Sequence, residues 1–242
     1  MIAVIMAAGK GSRLGDYTTD LPKSLLPLND SGITLLDYNL DVLNKLGIDK
    51  ILLVTGFNSQ MMENHTKDNS KIEIIYNPFW DACNVLGSLY MVLDHIEQDF
   101  LFLHADTLAD LEIWNMLTKE KGQMVLPYEK KACGEEEMKV RLNKQNILLE
   151  ISKEIPSEDA QGEFLGIAKF SKETVPYFKS KAKDLFKGGN LNHYMEAVVQ
   201  SAISETKIDI KVMDILEHKF VEVDFEEDYQ KAKKLFGKQQ NE

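Results

Sequence analysis

The residues best suited to chemistry cluster near the start of this chain. The stretch "AAGKGSRLGDYTTDLPKSLLPL" (7–28) carries Gly9, Gly11 and Gly15, the cations Lys10, Arg13 and Lys23, and the prolines Pro22 and Pro27. Glycines let backbone N–H groups turn towards a bound anion. Arg13 and Lys23 would add fixed positive charge, and the prolines would stiffen the approach of Lys23. The same glycines also suit a mobile surface loop. Two common phosphate-binding patterns fail here. The phosphate loop needs Gly-Lys followed by Ser or Thr, and Lys10 is followed by Gly11. The dinucleotide fingerprint G-x-G-x-x-G fails because Gly9, Gly11 and Gly15 leave one residue too many. A second candidate is Asp106, which closes the apolar run "DFLFLHAD" with His104 beside it. Such an aspartate would face a ligand or cap a following helix.

These residues need elements to hold them. "IAVIMA" (2–7), "KILLVTG" (50–56), "IEIIYN" (72–77) and "DFLFLHAD" (99–106) are short apolar runs, the pattern of strands buried on both faces. Between them, 34–48, 58–67 and 84–96 read as helices, the last with Asn84 as N-cap. This alternation predicts an α/β fold with a doubly wound parallel sheet, whose ligands bind beyond the carboxyl ends of the strands. Residues 7–28 and Asp106 both follow such ends. No helix is expected directly after the glycine loop, because Pro22 and Pro27 interrupt. The later half reads as strands at "QMVLPY", "MKVRLN", "NILLEIS" and "EFLGIAKF", with a hairpin across Asn143–Asn146. A helix at 190–204, strands "IDIKVMDI" and "KFVEVD", and a closing amphipathic helix follow.

Composition narrows the partners. The net charge is −11, which argues against a general nucleic-acid or membrane-surface binder but leaves room for a local basic pocket. The two cysteines, Cys83 and Cys133, form no metal-binding spacing and read as reduced thiols of a cytoplasmic protein. No secretory signal or membrane span is expected. The scattered histidines suggest no hydrolase triad.

The string "AAGKGSRL…PKSLLPL" resembles the signature of the sugar-nucleotidyltransferase superfamily, L-A-A-G-x-G-[ST]-R-[LM] followed by P-K-x-L-x-P. The resemblance implies a Rossmann-like three-layer sandwich with a mostly parallel mixed central sheet. It implies one domain over 1–242, with a nucleotide-binding half at 1–110 and an acceptor-binding half at 111–242. In that family the loop wraps a nucleoside triphosphate, which assigns Ala7, Ala8, Gly9, Gly11 and Ser12 to nucleotide binding, with Arg13 and Lys23 catalytic. "LHADT" is similar to the family's metal-binding strand end, and "VEVDFEEDYQKAKKLF" to its second metal segment. Asp106 and Asp224 are thereby expected to hold Mg²⁺, although Phe225 replaces the family's small hydroxyl residue and Asp224 is also a good helix cap. "NPFWDACNVLGSLYMV" resembles the cytidylyl branch, nearest the bacterial choline-phosphate cytidylyltransferases. That places Asn84, Gly87 and Ser88 near the base or ribose, where a helix N-terminus would offer free N–H groups. His104 joins the nucleotide site. By the same likeness Lys139 and Glu163 would meet the acceptor, and an amine-bearing acceptor could use Glu135, Glu136 or Glu196. The aromatic residues that the choline enzymes carry near Met138–Val140 are missing, which argues against choline phosphate.

The implied reaction is NMP transfer from an NTP, with CTP favoured, to a small phosphorylated or phosphonate acceptor, with release of pyrophosphate. UTP and dTTP enzymes acting on sugar 1-phosphates share the opening motif. A homo-oligomer is compatible with the sequence. Two other classes compete. A non-catalytic nucleotide sensor would be expected to lose the metal carboxylates, and a glycosyltransferase would be expected to carry D-x-D where this chain has "HADT".

Overall fold

A computed structural model describes residues 1–205 and 207–237. The chain runs β1 (Ile2–Ala7), α1 (Leu35–Lys45), β2 (Ile51–Thr55), α2 (Ser59–Thr66), β3 (Ile72–Tyr76), α3 (Val85–Val92) and β4 (Phe100–His104). Then come β5 (Thr107–Ala109), α4 (Leu111–Lys119), β6 (Met124–Glu129), β7 (Lys139–Leu142), β8 (Leu148–Ser152), β9 (Gly162–Phe164) and β10 (Ile167–Phe170). The remainder is α5 (Val175–Phe186), α6 (Glu196–Glu205), β11 (Ile210–Asp214), β12 (Phe220–Glu222) and α7 (Glu226–Phe236).

The main sheet has the order β3-β2-β1-β4-β10-β6-β9-β7-β8, with β11 pairing β6. β1 lies parallel to both β2 and β4, and β2 lies parallel to β3. β10 turns antiparallel between β4 and β6, so the sheet becomes mixed beyond β4. The chain leaves β1 for β2 on one side and returns to β4 on the other, which opens a crevice at the ends of β1 and β4.

Side-chain alternation builds the three layers. Ala3, Ile5 and Ala7 of β1 join one core with Leu36 of α1, Trp114 of α4 and Phe236 of α7. Ile2, Val4 and Met6 join the other with Leu89 of α3, Phe178 of α5 and Val198 of α6. A strand covered on both faces must be apolar at every position, and β1 is buried throughout. α1 starts where Thr34 accepts the Asp37 N–H while Asp37 accepts the Thr34 N–H, a reciprocal cap.

The structure departs from the sequence reading at four places. A short 3-10 helix, Ser12–Thr18, does form directly after Gly11, within the opening stretch; it is broken at Gly15, whose φ is +55°. "EFLGIAKF" is two strands, split at Gly166 with φ +72°. β5, not a helix, follows Asp106. The helix expected at 190–204 starts only at Glu196. Residues before it run along the start of α3, where Leu191 and His193 carbonyls accept from the Asn84 and Leu86 amides, both at 3.1 Å.

Candidate active site

The crevice is a cavity of about 560 Å³. Ala7, Ala8, Gly9, Gly11, Ser12, Arg13 and Lys23 line one wall, and His104 and Asp106 line its floor. Gly11 adopts φ +71°, and a Cβ there would meet the Lys23 stem at 2.8 Å. This glycine therefore serves both a left-handed turn and the close passage of a lysine. Thr18 closes the loop by donating its hydroxyl to the Gly11 carbonyl at 2.8 Å. Pro22 leads into a single 3-10 turn, Lys23–Leu25, whose end is held by Leu26 N–H donating to the Lys23 carbonyl. α7 fixes this strap from outside, with the Tyr229 hydroxyl donating to the Pro27 carbonyl at 2.6 Å.

Lys23 joins distant parts of the chain. Its ammonium lies 2.6 Å from Asp106 Oδ2 and 2.8 Å from Asp224 Oδ1. Asp224 Oδ2 takes Arg13 at 2.7 Å. Burial opposes the Lys23 charge, but Asp106 and Asp224 outweigh it and hold the lysine above its ordinary range. Burial likewise works against ionised Asp224, and Lys23 and then Arg13 overcome it, lowering that carboxyl.

Neither aspartate is spent on a helix cap. Asp106 leads into β5, and the Val223 N–H donates to its carbonyl at 3.0 Å, tying the two acidic segments together. At α7 the capping carboxylate is Asp228, which accepts from the amides of Asp224 and Phe225 at 3.2 and 2.9 Å. The Asp224 side chain is thereby left to face the cavity. Asp106 Oδ1 is buried with no hydrogen-bond partner among the described residues. This hard anionic oxygen in a cleft, with a second carboxylate beside it, is of the ligand type that Mg²⁺ takes. His104, Asp106 and Glu222 also bring ligand atoms within 4.8 Å of one another. Burial disfavours the His104 charge, but Glu222, and after it Asp106 and Glu196, push its pKa up to about 9.

At α3 the expected open donors are engaged. Val85 N–H donates to Asn84 Oδ1 at 2.7 Å, and the Asn84 and Leu86 amides meet the 191–193 segment. Asn84 and Ser88 line the cavity. Gly87 does not line it; a Cβ there would collide with Cys83 at 2.6 Å, so this glycine serves packing.

The far wall holds Glu163 and Glu196 as expected, but the structure does not bring Lys139 there. Lys139 is 1% exposed and donates to the carbonyls of Lys153 and Glu135 at 2.6 and 3.2 Å. Lys131 and Lys153 line the wall instead. Lys131 sits 2.7 Å from Glu163, 3.5 Å from Glu137 and 3.9 Å from Glu129. Lys153 lies 3.8 Å from Glu136 and over the Tyr194 ring. Glu196 is 4% exposed, and its Oε2 has no partner among the described residues. Burial raises the pKa of Glu163 and Glu196. Sequence reasoning missed Lys131, Lys153, Tyr194 and Glu222. Only Glu222 had a signal, two residues before Asp224 in an extended segment.

The MobA-like NTP transferase domain matches residues 3–136. The chain belongs to this family. Among its relatives, the CTP:phosphoglutamine cytidylyltransferase of Campylobacter jejuni is 24% identical over 94% of this chain and 97% of that protein. The bifunctional protein GlmU of Methanococcus aeolicus is 31% identical, over 52% of this chain; the chain spans 29% of that protein's length. The solved CTP:phosphocholine cytidylyltransferase of Streptococcus pneumoniae shares the fold, with a TM-score of 0.78 and 20% identity over 96% of this chain and 97% of that one. The expected place in the nucleotidyltransferase superfamily, near the choline-phosphate cytidylyltransferases, is borne out. Among the described residues, no helix is long and apolar enough to cross a membrane.

Proposed function

We propose that this chain is a Mg²⁺-dependent cytidylyltransferase that joins CMP from CTP to a small phosphorylated or phosphonate acceptor. The observation that carries the reading is Lys23, held between Asp106 and Asp224 in the cleft beside the glycine loop. The loop of Gly9–Ser12 would cradle the triphosphate through its backbone amides. An acceptor oxygen would attack the α-phosphorus in line; a P–O bond forms there and the bond to the β-phosphate oxygen breaks. Pyrophosphate leaves with the bonding electrons, and Arg13 would neutralise it. Lys23 would bridge the α-phosphate and the incoming anion. The nucleophile is already charged, so no base and no covalent enzyme intermediate is needed. Asp106 and Asp224 would hold Mg²⁺, which when bound screens the phosphate charge and polarises the phosphorus.

CTP is favoured because two of the proteins that match across nearly the whole chain are named for CTP. The far wall supports an amine-bearing acceptor. Glu129, Glu136, Glu137, Glu163 and Glu196 outnumber Lys131 and Lys153 there, so a cationic tail would be welcomed and a second anion repelled. The free thiols Cys83 and Cys133 support a cytoplasmic setting. The test is pyrophosphate release with each NTP, Mg²⁺ and a panel of phosphocholine, phosphorylated amines, phosphonates, polyol phosphates and sugar 1-phosphates. Release with CTP and one acceptor class confirms the reading; release with UTP or dTTP alone, or with none, refutes it.

A further inference from the structure

The carboxylates assigned to the metal are already committed in the free chain. Asp224 gives Oδ1 to Lys23 and Oδ2 to Arg13, and Asp106 gives Oδ2 to Lys23. Lys23 is 8% exposed, its stem passes hard against Gly11, and its backbone is fixed in a hydrogen-bonded turn. The ammonium therefore stands where the two carboxylates converge. A dication bound between those oxygens would sit against that ammonium with little water to screen the repulsion. Mg²⁺ also demands near-octahedral oxygen geometry, which a single uncommitted oxygen on Asp106 does not supply.

We propose that Lys23 and the divalent ion are alternative occupants of the Asp106–Asp224 pair, so that the metal enters with the triphosphate and not before it. Phosphate oxygens offer Lys23 and Arg13 replacement partners, and their departure frees three carboxylate oxygens at once. The free enzyme thus keeps its acidic pair neutralised by its own lysine, and the nucleotide unlocks the metal site. This rests on the reading that Asp106 and Asp224 hold the ion.

The test titrates Mn²⁺ alone, followed by its EPR signal, and compares melting temperatures in Mn²⁺ and in EDTA. The wild-type chain should bind Mn²⁺ weakly and melt at the same temperature in both. Lys23→Met should bind Mn²⁺ tighter by about tenfold or more, because the ion no longer competes with an ammonium for the same carboxylates. Its melting temperature should rise with Mn²⁺, and adding Asp224→Asn should cancel both gains. Lys23→Gln, which keeps a polar group against the carboxylates, is the second variant should Lys23→Met fail to fold in EDTA; it should show the same gains. Equal affinity in wild type and both lysine variants overturns the proposal. So does wild-type Mn²⁺ binding that Glu222→Gln removes and Asp224→Asn leaves intact, because the ion would then dock beside Lys23 through His104 and Glu222. Should the lysine variants gain Mn²⁺ affinity while the wild-type chain releases no pyrophosphate with any nucleotide, the functional reading would sink and this one would stand.

Discussion

The two ends of the cavity are built differently. At the glycine-loop end the facing charges match two against two: Lys23 and Arg13 interlock with Asp106 and Asp224. At the acceptor end carboxylates exceed cations, and Glu196 keeps a buried oxygen without a partner among the described residues. A matched cluster suits a ligand that carries its own metal and charge, and exchanges partners one for one. An unmatched cluster waits for a ligand that completes it. On the proposed reading, the first would govern turnover and the second would select the substrate.

Mutations can break that division. Lys23→Ala should lower turnover by about 10²-fold or more if the ammonium stabilises the transition state; pyrophosphate release at saturating substrates measures it, and near-normal turnover removes Lys23 from the chemistry. Glu196→Gln should raise the acceptor KM by about tenfold, the size of one charge-assisted contact, and leave the CTP KM unchanged. A matching rise in the CTP KM would show that the two ends are not separate. Gly11→Ala places a methyl against the Lys23 stem at a left-handed φ, which should cost about 1–2 kcal/mol in denaturant unfolding. It should also lower turnover, which Gly32→Ala, at φ +85° with open space around it, should not.

The smallest effect lies outside the cavity. Burial works against the Asp37 charge, but the Thr34 amide and hydroxyl, and then His65, outweigh it and hold this carboxyl low. Its contribution is therefore present above its ordinary value of 3.8 and fades as pH falls through the lower folded value. Asp37→Asn should cost about 1 kcal/mol at pH 7 and progressively less in acid, read from urea midpoints.

The same contrast explains what the sequence revealed. The nucleotide end was legible because its demands are local: a glycine beside a lysine's path, a proline before a single turn, an aspartate at a strand's end. The acceptor end depends on the register of β7, β8 and β9. Lys139 and Met138 are neighbours on alternating faces, and the structure puts Met138 on the cavity while Lys139 turns to backbone carbonyls. A likeness to relatives that is off by one residue in a strand lands on the wrong face. Lys131 precedes β7 in a stretch without periodicity, so nothing local announced it. The late start of α6 was hidden because "NLNHYM" continues a helical pattern, yet its backbone is claimed by the exposed amides of α3.

The tie between the opening strap and α7, through Tyr229 and Pro27 and through Tyr17 and Glu226, has a consequence for synthesis. On the ribosome, the glycine loop emerges long before Asp224. Until residues 220–237 are made, Lys23 lacks one of its two anions and β5 lacks its pairing strand. A nascent chain can assemble β1–β4 early, but it becomes competent in one late step. Loss of residues 220–237 would reverse that step while leaving the parallel strands in place.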